Sequence, residues 1–218
     1  MIKADHKKWA KLVFEIYLER LLKKSFHDFR IVNEIPQIDN TKALLITPNH
    51  FSWWDGFFVY WLNKNILKRK LHIMMLEEQL RRYWFFQKLG CYSVDLTDKR
   101  KMITSLKYSV DLLSEPGNLV TIYPQGEIQL FDTSNMELKE GINFLGKQSS
   151  KDFTVLPVAF KIEYTNEKLP TIYCRFGKPV VSRQAANFPQ LFKDEFIINL
   201  NLLKENIPAL NYKSLFVK

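Results

Sequence analysis

The sequence predicts an α/β fold: a single domain with a mixed β-sheet flanked by helices, preceded by a basic amphipathic helix. Three observations carry that expectation. Apolar runs of five or six residues alternate with segments of helical periodicity from residue 43 onward, the pattern of a sheet with helices on its faces. The 7 glycines and 9 prolines are dispersed, so nothing reads as a linker, repeat or domain boundary. At 218 residues, with 46% hydrophobic and 25% charged residues, the chain can bury one sizeable core. It is therefore read as one domain over 1–218, with an N-terminal helix in 1–32 and a motif-bearing core in 43–182.

The elements follow in order. Over residues 5–30, Trp9, Leu12, Val13, Ile16, Tyr17 and Leu21 recur at helical spacing, while Lys8, Lys11, Glu15, Glu19 and Lys23 fall on another face. Such a helix either packs on its own domain or lies partly in a membrane interface, with Lys7, Lys8, Lys23 and Lys24 near lipid phosphates. Strands are expected at Ala43–Thr47, Leu71–Met75, Tyr92–Leu96, Leu119–Tyr123, Val155–Phe160 and Thr171–Phe176. Helices are expected near 55–64, 78–88, 99–113, 140–148 and 190–205.

The formal charge of +9, from 32 Lys+Arg against 23 Asp+Glu, suits an anionic partner. No nucleic-acid module, zinc-ligand spacing or helix-turn-helix signature accompanies it, and the basic residues are mixed with acids, so no nucleic acid and no metal are expected. Cys91 and Cys174 are solitary in apolar, strand-like segments and read as reduced, buried thiols. No continuous apolar leader and no run of about 18 apolar residues is present. The expected placement is cytoplasmic, peripheral on the membrane face.

One segment reads as chemistry. Thr47-Pro48-Asn49-His50-Phe51-Ser52-Trp53-Trp54-Asp55-Gly56 puts a histidine five residues before an aspartate where a strand passes into a helix. If the carboxylate holds one ring nitrogen, the other can take a proton and make a hydroxyl nucleophilic. The plain alternative is a turn histidine and a carboxylate favoured by a helix N-terminus.

The order of later segments adds to this. Asn49-His50 through Asp55, then Gly90-Cys91-Tyr92-Ser93-Val94-Asp95, Ile122-Tyr123-Pro124-Gln125-Gly126 and Val155-Leu156-Pro157-Val158 resemble the four motif blocks of the glycerolipid acyltransferase superfamily, in its order. Leu138-Lys139-Glu140-Gly141 and Phe176-Gly177-Lys178-Pro179-Val180 are smaller echoes, and the resemblance spans about residues 43–182. It implies an enzyme that transfers a fatty acyl group from a thioester, acyl-CoA or acyl-carrier protein, to a hydroxyl of a lysolipid-type acceptor, without a cofactor. By the same resemblance His50 is the general base and Asp55 orients it, while Asn49, Gly56, Asp95, Tyr123, Pro124, Gln125, Gly126 and Glu127 line the substrate site. Trp53, Trp54 and Phe57, with Phe58, Trp84, Phe85 and Phe86 beside them, are candidates for an acyl slot or for ordinary core.

Departures from the pattern bear on the acceptor. The family usually carries Arg after the second-block Asp and Thr-Arg after the third-block Gly; here those places hold Leu96 and Glu127-Ile128. Losing guanidiniums removes the groups best matched to phosphate oxygens. Either Lys99, Arg100 and Lys101 replace that charge, or the acceptor has no terminal phosphomonoester, the favoured expectation, to which Glu127 adds. Gln125 stands where Glu is usual, keeping hydrogen bonds without charge. A non-catalytic lipid-binding relative and a thioesterase are the alternatives; a surface at an anionic membrane is the expected setting.

Overall fold

The computed structural model describes residues 1–131, 136–182, 187–205 and 212–216; positions 132–135, within the motif-bearing stretch, lie outside them. Within the described residues the strands are β1 (Asp28–Ile31), β2 (Ala43–Pro48), β3 (Lys70–Leu76), β4 (Cys91–Val94), β5 (Asn118–Thr121), β6 (Phe153–Glu163), β7 (Thr171–Phe176), β8 (Val180–Val181) and β9 (Lys213–Ser214). The helices are α1 (Lys8–Ser25), α2 (Asp55–Leu62), α3 (Glu77–Arg82), α4 (Lys99–Leu113), α5 (Gly141–Gln148) and α6 (Phe188–Glu205). They form a single α/β domain whose mixed sheet runs β4-β3-β5-β2-β6-β7-β1-β9, with β8 on β6.

The central strands are parallel, from β4 through β6, and β7 then returns antiparallel to β6. β2 lies in the middle and is buried along its whole length, which is why its run reads as continuously apolar. One face of the sheet packs Leu44, Ile46, Leu119 and Leu156 against α1 and α2; the other packs Leu45, Val120 and Val155 against α4, α5 and α6. The two faces alternate along each strand, as the period of a pleated strand requires.

Several expectations change. The N-terminal helix covers Lys8–Ser25 rather than 5–30, because Asp28–Ile31 pairs parallel with Thr171–Cys174 as a strand. Its buried face is Ala10, Phe14, Leu18 and Leu22, not the predicted stripe. Trp9, Leu12, Val13, Ile16 and Tyr17 are each at least half exposed. The helix thus carries two apolar faces, and Phe57, Tyr60, Phe85 and Phe86 gather around Phe14 on the docked one. The expected helix at 78–88 divides at Tyr83 into α3 and a 3-10 segment, Trp84–Leu89. The strand expected to reach Leu96 stops at Val94, where Asp95 opens a turn. No helix among the described residues is long and apolar enough to cross a membrane.

Candidate active site

The site is built where β2 runs out. After Pro48 the chain can no longer offer a regular ladder partner, and the side chain of Asn49 takes over. Its Nδ2 donates to Phe160 O (2.9 Å) and its Oδ1 accepts from Phe160 N (2.7 Å), extending the pairing of β2 with β6 by one side chain. Asn49 is fully buried. Its amide is therefore taken up by the sheet, and it fixes where the following loop begins.

His50 comes next and is held from two sides. Its backbone N–H donates to Gln125 Oε1 (2.5 Å), and its carbonyl accepts from Gln125 Nε2 (3.3 Å) and from Gln129 N (2.9 Å). Its ring is one-quarter exposed, and Nδ1 lies 2.7 Å from Asp55 Oδ2. An ionised carboxylate only accepts, so the proton on the neutral ring sits on Nδ1 and Nε2 keeps its lone pair.

Asp55 opens α2 and is wholly buried. Besides His50 it accepts from Phe51 N (2.8 Å) and Ser52 N (3.0 Å) at Oδ2, and from Ser52 Oγ (2.7 Å) at Oδ1. The loop from 50 to 55 thus folds around one carboxylate, and the first turn of a helix adds a favourable dipole. Ser52 was not among the expected site residues. Its signal was in the sequence as a Ser three places before an Asp at a helix start, a local hydrogen-bonding arrangement of this type.

Tyr123 follows β5 and stacks on His50, with ring centroids 4.3 Å apart and planes 26° from parallel. Its hydroxyl is buried without a hydrogen-bond partner, and burial, with the Asp55 charge nearby, pushes its pKa well above the usual phenol value. The turn beyond it needs Gly126, whose φ of 75° lies in the left-handed region. There Gly126 N donates to Tyr123 O and Lys139 N to Pro124 O. Pro124 and Gln125 are buried, while Glu127 is exposed.

The structure thus brings Asn49, His50, Asp55, Tyr123, Pro124, Gln125 and Gly126 together, but the polar groups of Asn49 and Gln125 point into the protein. The Gln125 amide faces two acceptors, His50 O and Gln129 Oε1 (3.4 Å). A carboxylate there would have no hydrogen to offer either. Asp95 lies in its own turn: Thr97 donates to it through Oγ1 (2.7 Å) and backbone N (3.0 Å), and Lys101 through Nζ (3.1 Å). Those bonds hold its pKa down at about 2. Lys101, one candidate for replacing the missing arginine charge, is therefore paired with Asp95. Leu96, Ile128 and Leu130 project into solvent as large exposed apolar groups.

The expected acyl-slot residues separate. Phe57 and Phe58 are core, packed against α1 and the sheet, whereas Trp53 and Trp84 are more than half exposed. Trp54 is partly buried against Phe26 and Phe58. Both cysteines are free and buried; burial raises Cys91 to about 12, which leaves it a poor nucleophile at neutral pH.

The family model described as Acyltransferase matches residues 29–161, more than half of the chain. The chain belongs to the acyltransferase family. The matched span contains His50, Asp55 and all of 122–127. Among solved structures this acyltransferase is similar to the 1-acyl-sn-glycerophosphate (LPA) acyltransferase PlsC of Thermotoga maritima. Identity is 17% and the TM-score 0.60, over 92% of this chain and 83% of that one, a likeness of fold. No curated protein matches this acyltransferase.

Proposed function

We propose that this acyltransferase moves a fatty acyl group from an acyl thioester, acyl-CoA or acyl-carrier protein, to a hydroxyl of a lysolipid-type acceptor. The observation that carries the reading is the His50–Asp55 pair, with its Nδ1 bonded to a fully buried carboxylate and its Nε2 left to accept a proton. In the proposed step Nε2 removes the acceptor hydroxyl's proton as that oxygen bonds to the thioester carbonyl carbon. The tetrahedral intermediate then expels the thiolate, which takes the proton back from the imidazolium. Asp55 stabilises the imidazolium without itself becoming protonated. Asn49, Gln125 and Ser52 act as positioning residues, since their polar groups bond to the loop and its neighbours rather than facing outward.

The acceptor is proposed to lack a terminal phosphomonoester. Leu96, Glu127 and Ile128 offer alkyl chains and an acid where two guanidiniums would grip phosphate, and the nearby Lys101 is paired with Asp95. The setting is proposed to be an anionic membrane surface on the cytoplasmic face. Its support is the second apolar face of α1 with exposed Lys8 and Lys24 near its two ends, beside Lys7 and Lys23, which pair with Asp5 and Glu19. Exposed Trp9 on that face also meets Phe85 (5.9 Å), and a second exposed tryptophan, Trp53, stands in the catalytic loop. Aromatic and aliphatic groups with flanking lysines suit a headgroup boundary.

The test is acyl transfer from labelled acyl-CoA and acyl-carrier protein to lysolipids with and without a phosphomonoester, for wild type and His50→Ala. A His50-dependent diacyl product on phosphate-free acceptors is expected. Free fatty acid alone would mean a thioesterase, and tight lipid binding without turnover a non-catalytic relative. Trp9→Ser/Leu12→Ser/Ile16→Ser should lose flotation with anionic vesicles while keeping its fold; undiminished flotation would remove α1 from the membrane reading.

A further inference from the structure

We propose that Tyr123 is a π platform for the His50 imidazolium, acting on the reaction through His50 rather than by touching acceptor or donor. The proposal rests on the reading of His50 as general base. The imidazole is gripped along its edge by Asp55 at 2.7 Å and across its face by the Tyr123 ring at 4.3 Å. The grip across the face is set by the turn that carries Tyr123. Ile122 N donates to Ile46 O, tying the start of the turn to β2, and Gln125 holds the His50 backbone from its other end. The backbones that carry the ring and the imidazole are thus tied to each other at the ends of β2 and β5.

The hydroxyl argues the same way. A tyrosine that reads a substrate presents its polar end to the opening, yet Tyr123 Oη is buried and has no partner. What this residue directs at the reactive group is its ring face. An aromatic face carries the negative part of the ring quadrupole. It attracts a cation above it more strongly than it attracts a neutral imidazole, which gains only ordinary ring stacking. In the general-base step His50 passes from the neutral imidazole to the cation as it takes the hydroxyl's proton, so the attraction strengthens as the transition state forms. Interactions of that kind raise kcat and leave substrate binding alone.

The experiment compares Tyr123→Leu, Tyr123→Phe and a series with 4-fluoro-, 3,5-difluoro- and 3,4,5-trifluorophenylalanine at position 123, alongside His50→Ala. Loss of the ring in Tyr123→Leu should lower kcat roughly two- to thirtyfold with KM little changed. The acidic limb of its pH–rate profile should move to lower pH, because the protonated ring has lost a stabilising contact. Tyr123→Phe should restore most of the lost rate. Progressive fluorination keeps the ring's shape while draining its face, so kcat should fall stepwise from the phenylalanine value. If Tyr123→Leu does not fold, the fluorinated series decides alone.

A Tyr123→Phe enzyme as impaired as Tyr123→Leu would mean that the hydroxyl contacts substrate, and the platform is wrong. A flat fluorination series in an enzyme that still depends on His50 overturns the platform and leaves the general base standing. Full activity in His50→Ala overturns both.

Discussion

Replacing Asp55 by Asn separates hydrogen bonding from charge at the one buried carboxylate of the site. The carboxylate accepts from His50 Nδ1, Phe51 N and Ser52 N at one oxygen and from Ser52 Oγ at the other. An asparagine can set its carbonyl where the three N–H groups converge and its NH2 beside Ser52 Oγ, which can turn to accept. The loop and the imidazole orientation then survive, and only the charge is lost. Unit charges about 4 Å apart interact by about 4 kcal/mol at an effective dielectric of about 20. That attraction exists only once His50 is protonated, so kcat should fall about a thousandfold with KM little changed. Thermal stability should hold or rise, since a buried charge disappears while its bonds remain. Asp55→Ala is different: it leaves buried donors unsatisfied at about 1–3 kcal/mol each, and should be markedly unstable. Initial rates of thiol release and diacyl product, with melting curves for each variant, make the comparison. An Asp55→Asn enzyme that folds and keeps most of the wild-type kcat would refute the ion-pair argument.

Other outcomes follow from the same contacts. Asn49→Leu should cost about 2–4 kcal/mol, because the buried N–H and C=O of Phe160 both lose their partner; urea unfolding measures it, and a neutral result would show that the β2 extension is not needed. Gln125→Glu places an acceptor-only group against His50 O and Gln129 Oε1 in a buried spot, so its folded-state pKa is expected above the unfolded glutamate value. Its stability deficit should therefore grow as pH rises above about 4.3, and unfolding at pH 4.5, 6 and 8 reads that slope. His72 is buried on β3, where neither ring nitrogen meets hydrogen-bond geometry and the ring lies edge-on to His6 (4.7 Å). Burial, aided by His6 and Lys70, lowers its pKa from 6.5 to about 4. A base depressed in the folded state is neutral there and charged when unfolded, so stability is held above pH 6.5 and falls toward pH 4, by about 3 kcal/mol in all. His72→Leu should flatten that decline, and an unchanged pH dependence would count against it.

Local patterns were legible where the physics is local. The histidine and aspartate are separated by one loop that bonds to itself, so their spacing is visible before any fold is known, although spacing alone also fits a turn histidine and a carboxylate at a helix start. The alternation of strand and helix was equally readable, because burial on both faces makes central strands such as β2 continuously apolar. Short β1 and β9 were not foreseen, since four- and two-residue strands carry no periodicity of their own and exist only by pairing with β7 and with each other. The first helix shows the limit most clearly. Its sequence offers two apolar faces, and periodicity selected Trp9, Leu12, Val13, Ile16, Tyr17 and Leu21, of which only Leu21 is partly buried. The face that docked was Ala10, Phe14, Leu18 and Leu22.

By itself, then, the sequence determined the fold class and the family motifs, including a histidine five residues before an aspartate, all properties of neighbouring residues or of repeated local pattern. Only the tertiary structure decided which face of α1 is buried and that Asn49 serves Phe160, 111 positions away. It alone decided that Gln125 and Tyr123, more than 70 positions beyond His50, hold that histidine by its backbone and its ring. Those contacts form between strands whose order in the sheet differs from their order in the chain, and sequence spacing carries no record of that distance.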